Sequence, residues 1–594
     1  MCANSSHLSR RSLIAGGVAG LSTLSGCLGR LRRAADRDSP QQLELAIKAL
    51  PEDDDLYSLR IANNLESNLE TAGADVDVLP TRPDAFLRDI LINLDFDMYV
   101  WRLPLHDDPD FLRSLLHSRF SEEPGWQNPF SYSNTLVDEL LDEQSTSSND
   151  RTDVLAELQE SIYQEHPFIP VIFQEEHRVF RSDVIESDTP YPIGDPNWIL
   201  SLSSRDDATS FIETGEFGVT DGRISNNLNP IAVEYRDGPG VTELLYDTLA
   251  RHIDDSLIPW LASSWQWVSP RGARAPTLEI TLRSDLHWHD GEPLTAADAV
   301  FTYRFLQDTS MTDEDPMVPA PRYRGRSSLI DVVEAIDDST ISIQFVNTTR
   351  ELAERILTLP ILPKHIWEEY TNMTEVVGIP VSDVTTDALV IDNLDAIGSG
   401  VYKLENVDTD NEVVLRRFED HFLFDLASDS EPAATAFPLI EELVFDIRPS
   451  VTNILNSVSE GNLDGTLGTV GQTHVDDMRE YEEITTQSLT TPRLYHIGFN
   501  LRNAPFTHHG LRDAIAQLVD REYIRTEIFQ NSGRTTVSPV FDQTSVPDSL
   551  TDDQSFDSFF IGEAGSGTVE ADDAMALFRE AGFQYGEGGQ LLTR

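Results

Sequence analysis

Residues 282–300 read LRSDLHWHDGEPLTAADAV and carry the signals for a strand, a turn and a helix in succession. Apolar and polar side chains alternate over 278–283, which predicts a strand entering this stretch. Asp290-Gly291 is a typical turn dipeptide. Thr295 and Asp298 resemble a capping box, with Asp in place of the usual Glu or Gln. The stretch therefore predicts a strand and a helix that begins at Thr295, joined by a tight turn.

Upstream of that stretch, strands and helices alternate. Residues 43–48, 76–79 and 97–101 have the composition of strands, and helices are predicted over 57–72 and 84–94. This β-α-β-α-β order predicts a layered α/β lobe. The remaining predicted elements are helices over 133–144, 151–165 and 572–581, a strand over 168–173, a strand-like segment over 590–594, and surface loops over 309–327 and 541–571.

The length of 594 residues exceeds the size at which a single hydrophobic core stops growing, so two or more lobes are expected. Apolar residues make up 40% of the chain, the ordinary fraction for a globular protein. The chain as a whole is therefore predicted to fold despite its charge.

Acidic residues outnumber basic ones by 102 to 43, for a formal charge of −59. They are spread over the whole length, and only three of the basic residues are lysines. Such a protein repels itself in dilute buffer, and salt relieves that repulsion. The composition resembles that of proteins from salt-loving archaea; the alternative is an acidic protein from ordinary salt. Nucleic-acid binding is disfavoured, because phosphate contacts need a basic face.

The two cysteines, Cys2 and Cys27, both lie in the first 27 residues. No disulfide framework, thiolate zinc site or catalytic thiol is therefore predicted in the rest of the chain.

The first 27 residues have the pattern of an export signal. Residues 9–14 (SRRSLI) resemble a twin-arginine signal, and a short apolar run follows them. Residues 24–27 (LSGC) resemble a lipobox, in which Cys27 is lipidated; the alternative is an unrelated cysteine. We expect 28–41 to be a tether and the protein to lie at the extracellular face of the cell membrane, held by its lipid. No later stretch is long and apolar enough to span a bilayer.

Residues 229–306 resemble the N-terminal lobe of the peptide-type (family 5) substrate-binding proteins of ABC importers, which include dipeptide, oligopeptide and nickel binders. The stretch 282–300 is the most specific match. The other matching segments are Asn229-Pro230, 244–249 (LLYDTL), 259–265 (PWLASSW), 398–402 (GSGVY), 460–464 (EGNLD), 499–506 and 511–521. The resemblance implies an α/β, two-lobed, periplasmic-binding-protein-like fold of type II, cluster C-like, with a hinge.

The matching segments do not follow the family order along the whole chain. Segments that resemble the family's C-terminal part stand at the front, at 43–101, 107–111, 132–141 and 167–171, whereas 577–583 resembles the helix end that normally precedes them. The sequence is therefore identified as a circular permutant, with lobe 2 formed by 42–173 and 495–594 and lobe 1 by 174–494. Because a permuted chain keeps its contacts only if its new ends meet in one turn, residues 43–48 and 590–594 are predicted to lie side by side.

The resemblance places candidate ligand-binding residues where the two lobes meet. Trp101 ends the strand that approaches the cleft in this family, and its ring would cover an apolar part of the solute; the alternative is a core tryptophan. Peptide binders have an Asp for the ligand's amine three residues after this tryptophan, where this chain has Pro104. Either Asp107 or Asp108 takes that role, or the role is absent and the pair caps a helix before Pro109.

Four weaker candidates come from positions that match the family near its cleft, namely Tyr246, Tyr402, Asn500 and Arg502. For Arg502 the alternatives are a contact with a ligand carboxylate and a solvated surface arginine. His287 and His289 share one strand face, as metal ligands can, but no third ligand stands nearby and we interpret them as structural.

The sequence contains no catalytic, nucleotide-binding or dinucleotide-binding fingerprint, and no metal or cofactor is predicted. It therefore predicts a monomeric solute-binding protein that delivers peptides or a similar small solute to separate ABC permease and ATPase subunits. Two alternatives stay open. One is a surface receptor that presents its solute without transport. The other is an exported hydrolase of peptides or glycans, for which a glycosidase would need two cleft carboxylates about 5–10 Å apart.

Overall fold

The computed structural model describes residues 41–593 apart from 105–107, 124, 148–149, 187–190, 192–194, 205–211, 233–239, 254–255, 272, 313–316, 375–384, 427–438 and 552–558. The predicted export signal with Cys27, the tether up to residue 40, and Asp107 lie outside the described residues. Within them, no helix combines the length and the hydrophobicity that crossing a bilayer requires.

The first part of the described chain alternates strands and helices and ends in a long strand. Its elements are β1 Glu44–Ala49, α1 Ser58–Thr71, β2 Asp75–Pro80, α2 Pro83–Leu91, β3 Met98–Pro104, α3 Phe111–Leu116, α4 Thr135–Thr146, α5 Arg151–Glu165 and β4 Phe168–Arg181. Strand β1 lies between β2 and β3 and pairs with both in parallel, as helical crossovers require. The predicted β-α-β-α-β order is confirmed.

The middle of the chain is richer in strands. Its elements are β5 Ile185–Glu186, α6 Pro196–Ser201, β6 Ser203–Ser204, β7 Ile212–Val219, α7 Val241–Leu245, β8 Ala250–Ile253, β9 Ser256–Pro259, β10 Ala262–Trp267, β11 Thr277–Leu282, α8 Ala296–Gln307, α9 Arg324–Ser327, β12 Ile330–Ala335, β13 Thr340–Phe345, α10 Arg350–Glu354, α11 Lys364–Trp367, β14 Met373–Thr374, β15 Thr385–Thr386, β16 Tyr402–Asp408, β17 Glu412–Arg417, β18 Ile440–Ile447, α12 Val451–Glu460 and β19 Gly465–Thr466.

The strand, turn and helix predicted around residues 282–300 are confirmed as β11 and α8. The Asp298 carboxylate accepts a hydrogen bond from the Thr295 backbone N–H at 2.9 Å, which completes the capping box. The prediction of a continuous surface loop over 309–327 was wrong, because the 3-10 turn Pro321–Tyr323 leads there into α9.

The last part of the chain returns to the sheet of the first part. Its elements are α13 Gln472–Met478, β20 Ile484–Phe499, α14 Ala504–Thr507, α15 His509–Ala516, α16 Arg521–Tyr523, β21 Arg534–Thr535, α17 Ala571–Glu580, β22 Gln584–Tyr585 and β23 Leu591–Leu592.

One mixed sheet runs through both halves of the molecule. Its strand order is β16-β17-β18-β7-β19-β4-β20-β3-β1-β2, and β21 lies beside β4. The long strands β4 and β20 pair antiparallel in two stretches, 168–173 with 494–498 and 175–181 with 484–490. Their register breaks between Thr490 and Leu494, which gives the sheet a place to bend where these strands pass from one half to the other.

The hydrophobic cores divide the chain into two lobes. One core contains only residues between 180 and 467, and we call this part lobe 1. Two further cores are built from residues within 43–173 and 494–591, which we call lobe 2. They lie on opposite faces of the sheet, since Met98 and Val100 of β3 face one core whereas Tyr99 and Trp101 face the other.

The two ends of the described chain meet in lobe 2. The Leu43 N–H donates to the Leu591 carbonyl at 2.7 Å, and the Thr593 N–H donates to the Gln41 carbonyl at 2.7 Å. The two ends therefore lie side by side at 41–43 and 591–593, whereas residues 44–48 belong to β1, which pairs with β2 and β3.

Candidate functional site

A cavity of about 460 Å³ lies between the lobes. Its volume is within the range of small-molecule sites. Lobe 1 lines it with residues from or next to α6, α7, β8 and α9. Lobe 2 contributes Leu103, Phe111, Ser114, Leu115, Trp126 and Gln127.

The lobe 2 wall is largely apolar and centres on Trp126. This ring stacks on Trp101, with the ring centroids 5.2 Å apart and the planes 25° from parallel. Trp101 itself is 3% exposed and meets Phe86 edge-on in the core. The side chain placed to cover an apolar part of a solute is therefore Trp126, and Trp101 supports it from one layer behind.

The lobe 1 wall carries the charged groups. Three arginines, Arg251, Arg322 and Arg326, and two carboxylates, Asp195 and Glu243, line the cavity. Arg322 donates to Glu243 at 2.8 Å. Asp195 accepts the Asn197 backbone N–H at 2.8 Å and so caps α6.

A buried polar network lies against this wall, around Asp247. The Asp247 carboxylate accepts hydrogen bonds from the Trp260 indole at 2.7 Å and from His421 Nε2 at 2.8 Å. Arg251 approaches the same carboxylate at 3.4 Å, and its guanidinium lies 4.2 Å from the centre of the Trp260 ring. Asp247 and Trp260 belong to segments that match the family, so these segments form the support of the cavity wall.

His289 fixes the glycine segment 398–400 against this support. Its Nδ1 accepts the Gly398 N–H at 3.1 Å, and its Nε2 donates to the Gly400 carbonyl at 2.9 Å. Burial lowers the pKa of His289 to about 4, so the ring is neutral. The interpretation of His289 as structural agrees with these contacts.

The predicted tyrosines have different surroundings. Tyr246 lines the cavity, its hydroxyl accepts a hydrogen bond from Asn393 at 2.8 Å, and burial raises its pKa. Tyr402 is fully buried away from the cavity lining and donates to the Ile440 carbonyl at 2.8 Å. Of these two, only Tyr246 is in place to touch a solute.

Asn500 and Arg502 are bound within lobe 2. The Asn500 amide donates to the Leu94 and Phe96 carbonyls, both at 2.9 Å. Arg502 donates to the Pro129 and Ser121 carbonyls, and burial lowers its pKa. Neither residue lines the cavity, so the geometry gives both a role in holding loops of lobe 2.

Asp108 joins the two lobes and does not line the cavity. It binds Arg151 of lobe 2 at 2.6 and 3.0 Å and Arg355 of lobe 1 at 3.1 Å. It also accepts the Asp110 backbone N–H at 2.7 Å, just before α3. Burial alone would raise the pKa of Asp108, but the hydrogen bond and charge of Arg151 and the charge of Arg355 hold it below its usual value.

Further contacts close the lobes on one another. Glu123 of lobe 2 forms a bidentate pair with Arg324 of lobe 1, at 2.9 and 3.0 Å. Arg113 of lobe 2 donates to the Gly325 carbonyl at 2.8 Å in lobe 1. The described arrangement is therefore a closed one, in which the cavity is covered from both sides.

Apart from Tyr246, the sequence did not predict the residues of the cavity wall, among them Trp126, Arg251 and Arg326. Trp126 follows a glycine in an irregular segment, and Arg251 stands inside a strand that looks ordinary in sequence. Arg326 lies in the stretch that was predicted to be a surface loop. Only the fold brings these three residues to one cavity.

The two lobes enclose a cavity whose size suits a small molecule. The family model of "Bacterial extracellular solute-binding proteins, family 5 Middle" matches residues 256–593, more than half of the chain. The chain belongs to this family of extracellular solute-binding proteins.

Individual relatives are more distant. The chain is 22% identical over 320 residues to the peptidoglycan-binding protein YepA of Agrobacterium fabrum, a match covering 50% of this chain and 46% of that one. The ABC transporter substrate-binding protein CtaP of Listeria monocytogenes is a similar solved structure, with 25% identity, a TM-score of 0.33, and coverage of 46% and 47%. The oligopeptide-binding protein AppA of Bacillus subtilis, solved with a nonapeptide, is 16% identical with a TM-score of 0.44 and coverage of 65% and 67%. The chain spans about half the length, or less, of curated relatives that it matches.

Proposed function

We propose that this protein captures a small solute, peptide-like in chemistry, and delivers it to the permease of an ABC importer. The observation that carries the proposal is the cavity of about 460 Å³ with walls from both lobes, which β4 and β20 connect. A solute that contacts both walls stabilises the closed state relative to an open one. A permease can then distinguish the loaded protein from the empty one. The permease and the ATPase are separate proteins.

The direct test identifies the solute. The protein is purified in high salt, and native mass spectrometry is applied before and after mild unfolding and refolding. We expect a small molecule that leaves on unfolding, and a melting temperature that rises when the molecule is added back. Scattering should show a more compact protein with the solute than without it. If no solute copurifies and pools of short peptides and of sugars leave both measurements unchanged, solute capture is wrong.

Of the two alternatives, a receptor without transport shares the same capture step. It is separated from the import proposal by uptake of labelled solute in cells with and without the permease. No observation favours a hydrolase. Among the described residues that line the cavity, the carboxylates are Asp195, which caps α6, and Glu243, which is paired with Arg322. We therefore propose no catalytic role.

We further propose that the mature protein begins at Cys27 and is anchored by a lipid on that residue. The support is the sequence alone, the paired arginines of 9–14 followed by the LSGC segment. The Cys27→Ser variant should appear in the culture medium, whereas the unchanged protein stays with the membrane fraction. Equal membrane retention of both proteins would contradict the anchor.

We also propose that the chain is a circular permutant whose lobe 2 comprises 42–173 and 495–594 and whose lobe 1 comprises 174–494. The rotated order of the family-like segments supports this. The hydrogen bonds that pair Gln41 with Thr593 and Leu43 with Leu591 support it too, because they place both ends at one site of lobe 2.

A further inference from the structure

Three tripeptides of the chain have the form Asn-X-Ser/Thr with X other than proline. They are Asn4-Ser5-Ser6, Asn347-Thr348-Thr349 and Asn372-Met373-Thr374. In proteins outside the cell this tripeptide is the acceptor of N-linked glycans, which are bulky and are carried on the surface. Asn4 lies in the predicted export signal, outside the described residues. The other two asparagines lie in lobe 1, and their surroundings differ.

The route of export decides which form of the protein can receive a glycan. A twin-arginine signal, as the sequence predicts for residues 9–14, directs the export of a protein that has already folded. An enzyme outside the cell then meets lobe 1 in its folded form. It can modify an asparagine only where that asparagine and the hydroxyl two residues later are both accessible.

The tripeptide at 347–349 is held in a contact between the lobes. Asn347 is exposed, but Thr349 is 8% exposed and its hydroxyl accepts the Leu352 N–H at 3.3 Å, which caps α10. The Thr349 N–H donates to the Ser145 carbonyl of lobe 2 at 3.0 Å, and the Thr348 hydroxyl donates to the same carbonyl at 3.1 Å. An enzyme therefore cannot reach the required hydroxyl without separating the lobes and the helix start.

The tripeptide at 372–374 is open to solvent. Asn372 is exposed, Met373 is 51% exposed, and Thr374 is half-buried. The Asn372 amide makes one long hydrogen bond, 3.3 Å to the Glu369 carbonyl, at the surface. The Thr374 hydroxyl has no hydrogen-bond partner among the described residues. Both groups that the acceptor sequence requires are therefore within reach.

The backbone holds this tripeptide in place from one side. Strand β14 pairs antiparallel with β15, and the Asp387 N–H donates to the Asn372 carbonyl at 3.0 Å. None of the three residues lines the cavity between the lobes. A glycan on Asn372 would therefore extend from an ordered surface without entering the solute site.

We infer that Asn372 carries an N-linked glycan and that Asn347 does not. In the transfer, the Asn372 side-chain nitrogen forms a bond to the anomeric carbon of the first sugar. The bond from that carbon to a phosphate oxygen of a lipid-linked oligosaccharide breaks. The lipid phosphate leaves with the electron pair, and the amide loses one proton. The inference goes beyond the proposed function and depends on export, not on the identity of the solute.

The test uses protein from the membrane fraction of the cells that naturally make it. Trypsin cleaves after lysine and arginine, so it releases the two tripeptides separately, in peptides 327–350 and 365–403. Mass spectrometry of both peptides, with fragmentation to locate the sugars, shows which asparagine is modified. We expect a series of sugar masses on 365–403 and the bare mass of 327–350.

Matched variants separate the acceptor sequence from other effects. Asn372→Gln and Thr374→Ala should remove the added mass completely, whereas Asn347→Gln and Thr374→Ser should keep it, since serine also completes the acceptor sequence. The melting temperature of each variant reports whether it has folded. Solute binding should be the same with Asn372→Gln as with the unchanged protein, because Asn372 does not line the cavity.

A bare 365–403 peptide in exported protein would overturn the inference, and so would sugars on 327–350. Sugars that remain on 365–403 after Thr374→Ala would also overturn it. Solute capture is judged apart from this result, since exported protein without a glycan that still binds its solute overturns only the glycan. Protein recovered solely from inside the cells would contradict export and the glycan together.

Discussion

At the scale of the residue, the family-like segments leave the least room for a side chain where the glycine segment 398–400 packs against α7. A Cβ on Gly398 would lie 1.9 Å from the Leu245 carbonyl oxygen, which is backbone and cannot rotate away. Gly398→Ala should therefore lower the free energy of unfolding by about 3 kcal/mol, at the upper end of overpacking costs. The control is Gly468→Ala, whose Cβ would meet only the Thr220 hydroxyl at 3.7 Å. Urea unfolding of both variants checks this, and equal stability of the two would contradict it.

Burial of His496 predicts that the free energy of unfolding depends on pH. It is fully buried beside Tyr99, with Nε2 2.9 Å from the hydroxyl, and burial lowers its pKa to about 4. The unfolded state, with a pKa of about 6.5, takes up a proton first as pH falls. The neutral ring thus favours the folded state above pH 6.5, and this stability is lost as pH falls towards 4. The expected loss between pH 7 and pH 5 is about 2 kcal/mol.

The variant His496→Gln isolates this contribution. It should be less stable than the unchanged protein at pH 7, and the difference should shrink by about 2 kcal/mol at pH 5. Urea unfolding at both pH values and one salt concentration measures it. A constant difference would mean that His496 does not titrate in this range.

The outcomes at single residues show where sequence reasoning stops. The aromatic cover was predicted at Trp101, because strand ends of this family approach the cleft, and the structure places Trp126 between it and the cavity. Trp126 lies in an irregular segment, so no periodic pattern in the sequence indicates that it stacks on Trp101. The structural role of His289 was predictable, because it lies in the segment that matches the family most specifically. Its two glycine partners were not predictable, because they stand more than 100 residues away in the sequence.

At the scale of the element, one of the contacts that hold the lobes together joins α9 of lobe 1 to the segment before Trp126 in lobe 2. Arg324 and Glu123 form its bidentate pair, with side chains 18% and 26% exposed. Partly exposed pairs of this kind contribute about 0.2–1 kcal/mol. Arg324→Gln should therefore raise the Kd for the solute up to about fivefold and increase the open fraction seen by scattering.

The control for this pair is Arg525→Gln, because Arg525 forms a similar bidentate pair with Glu522 within lobe 2, at 2.7 and 3.0 Å. That variant should bind as the unchanged protein does. Combining Glu123→Gln with Arg324→Gln should cost no more than Arg324→Gln alone. An additive loss would show that the two side chains act separately.

Elements with strong periodicity were predictable, and short ones were not. The helix predicted over 57–72 is α1, because Ile61, Leu65 and Leu69 recur on one buried face. Helix α9 has four residues, RGRS, with no apolar stripe, so it was predicted as loop. Tertiary contacts such as the hydrogen bond from Arg113 to the Gly325 carbonyl hold it, and the local sequence does not encode them.

At the scale of the whole molecule, the charge of −59 predicts a strong dependence on salt. The Debye length falls from about 10 Å at 0.1 M salt to about 3 Å at 1 M, so repulsion among the dispersed carboxylates is screened. The melting temperature should rise between 0.1 and 2 M KCl, while the effect of Arg324→Gln on the Kd shrinks because salt also weakens that pair. If the melting temperature stays constant or falls as the salt concentration rises, adaptation to high salt does not explain the acidic composition.

The order of the chain can be changed without changing the contacts, if the protein is a permutant. Gln41 and Thr593 are paired in lobe 2, so a short Gly-rich turn can join the two ends, and new ends can be placed between Ala208 and Thr209, in a segment that separates β6 from β7. The reordered chain then runs from 209 to 594 and on through 41 to 208. It should fold, melt within a few degrees of the unchanged 41–594 protein, and bind the same solute with a similar Kd, because every strand of the shared sheet keeps its neighbours. A control chain carrying the same new ends, but with 41–208 left out, lacks β1 to β6 and should not fold, since it loses β3 and β4, the two strands that pair with β20. A reordered chain that fails to fold would mean that the present order is required by the fold, and the permutation proposal would then have to be given up.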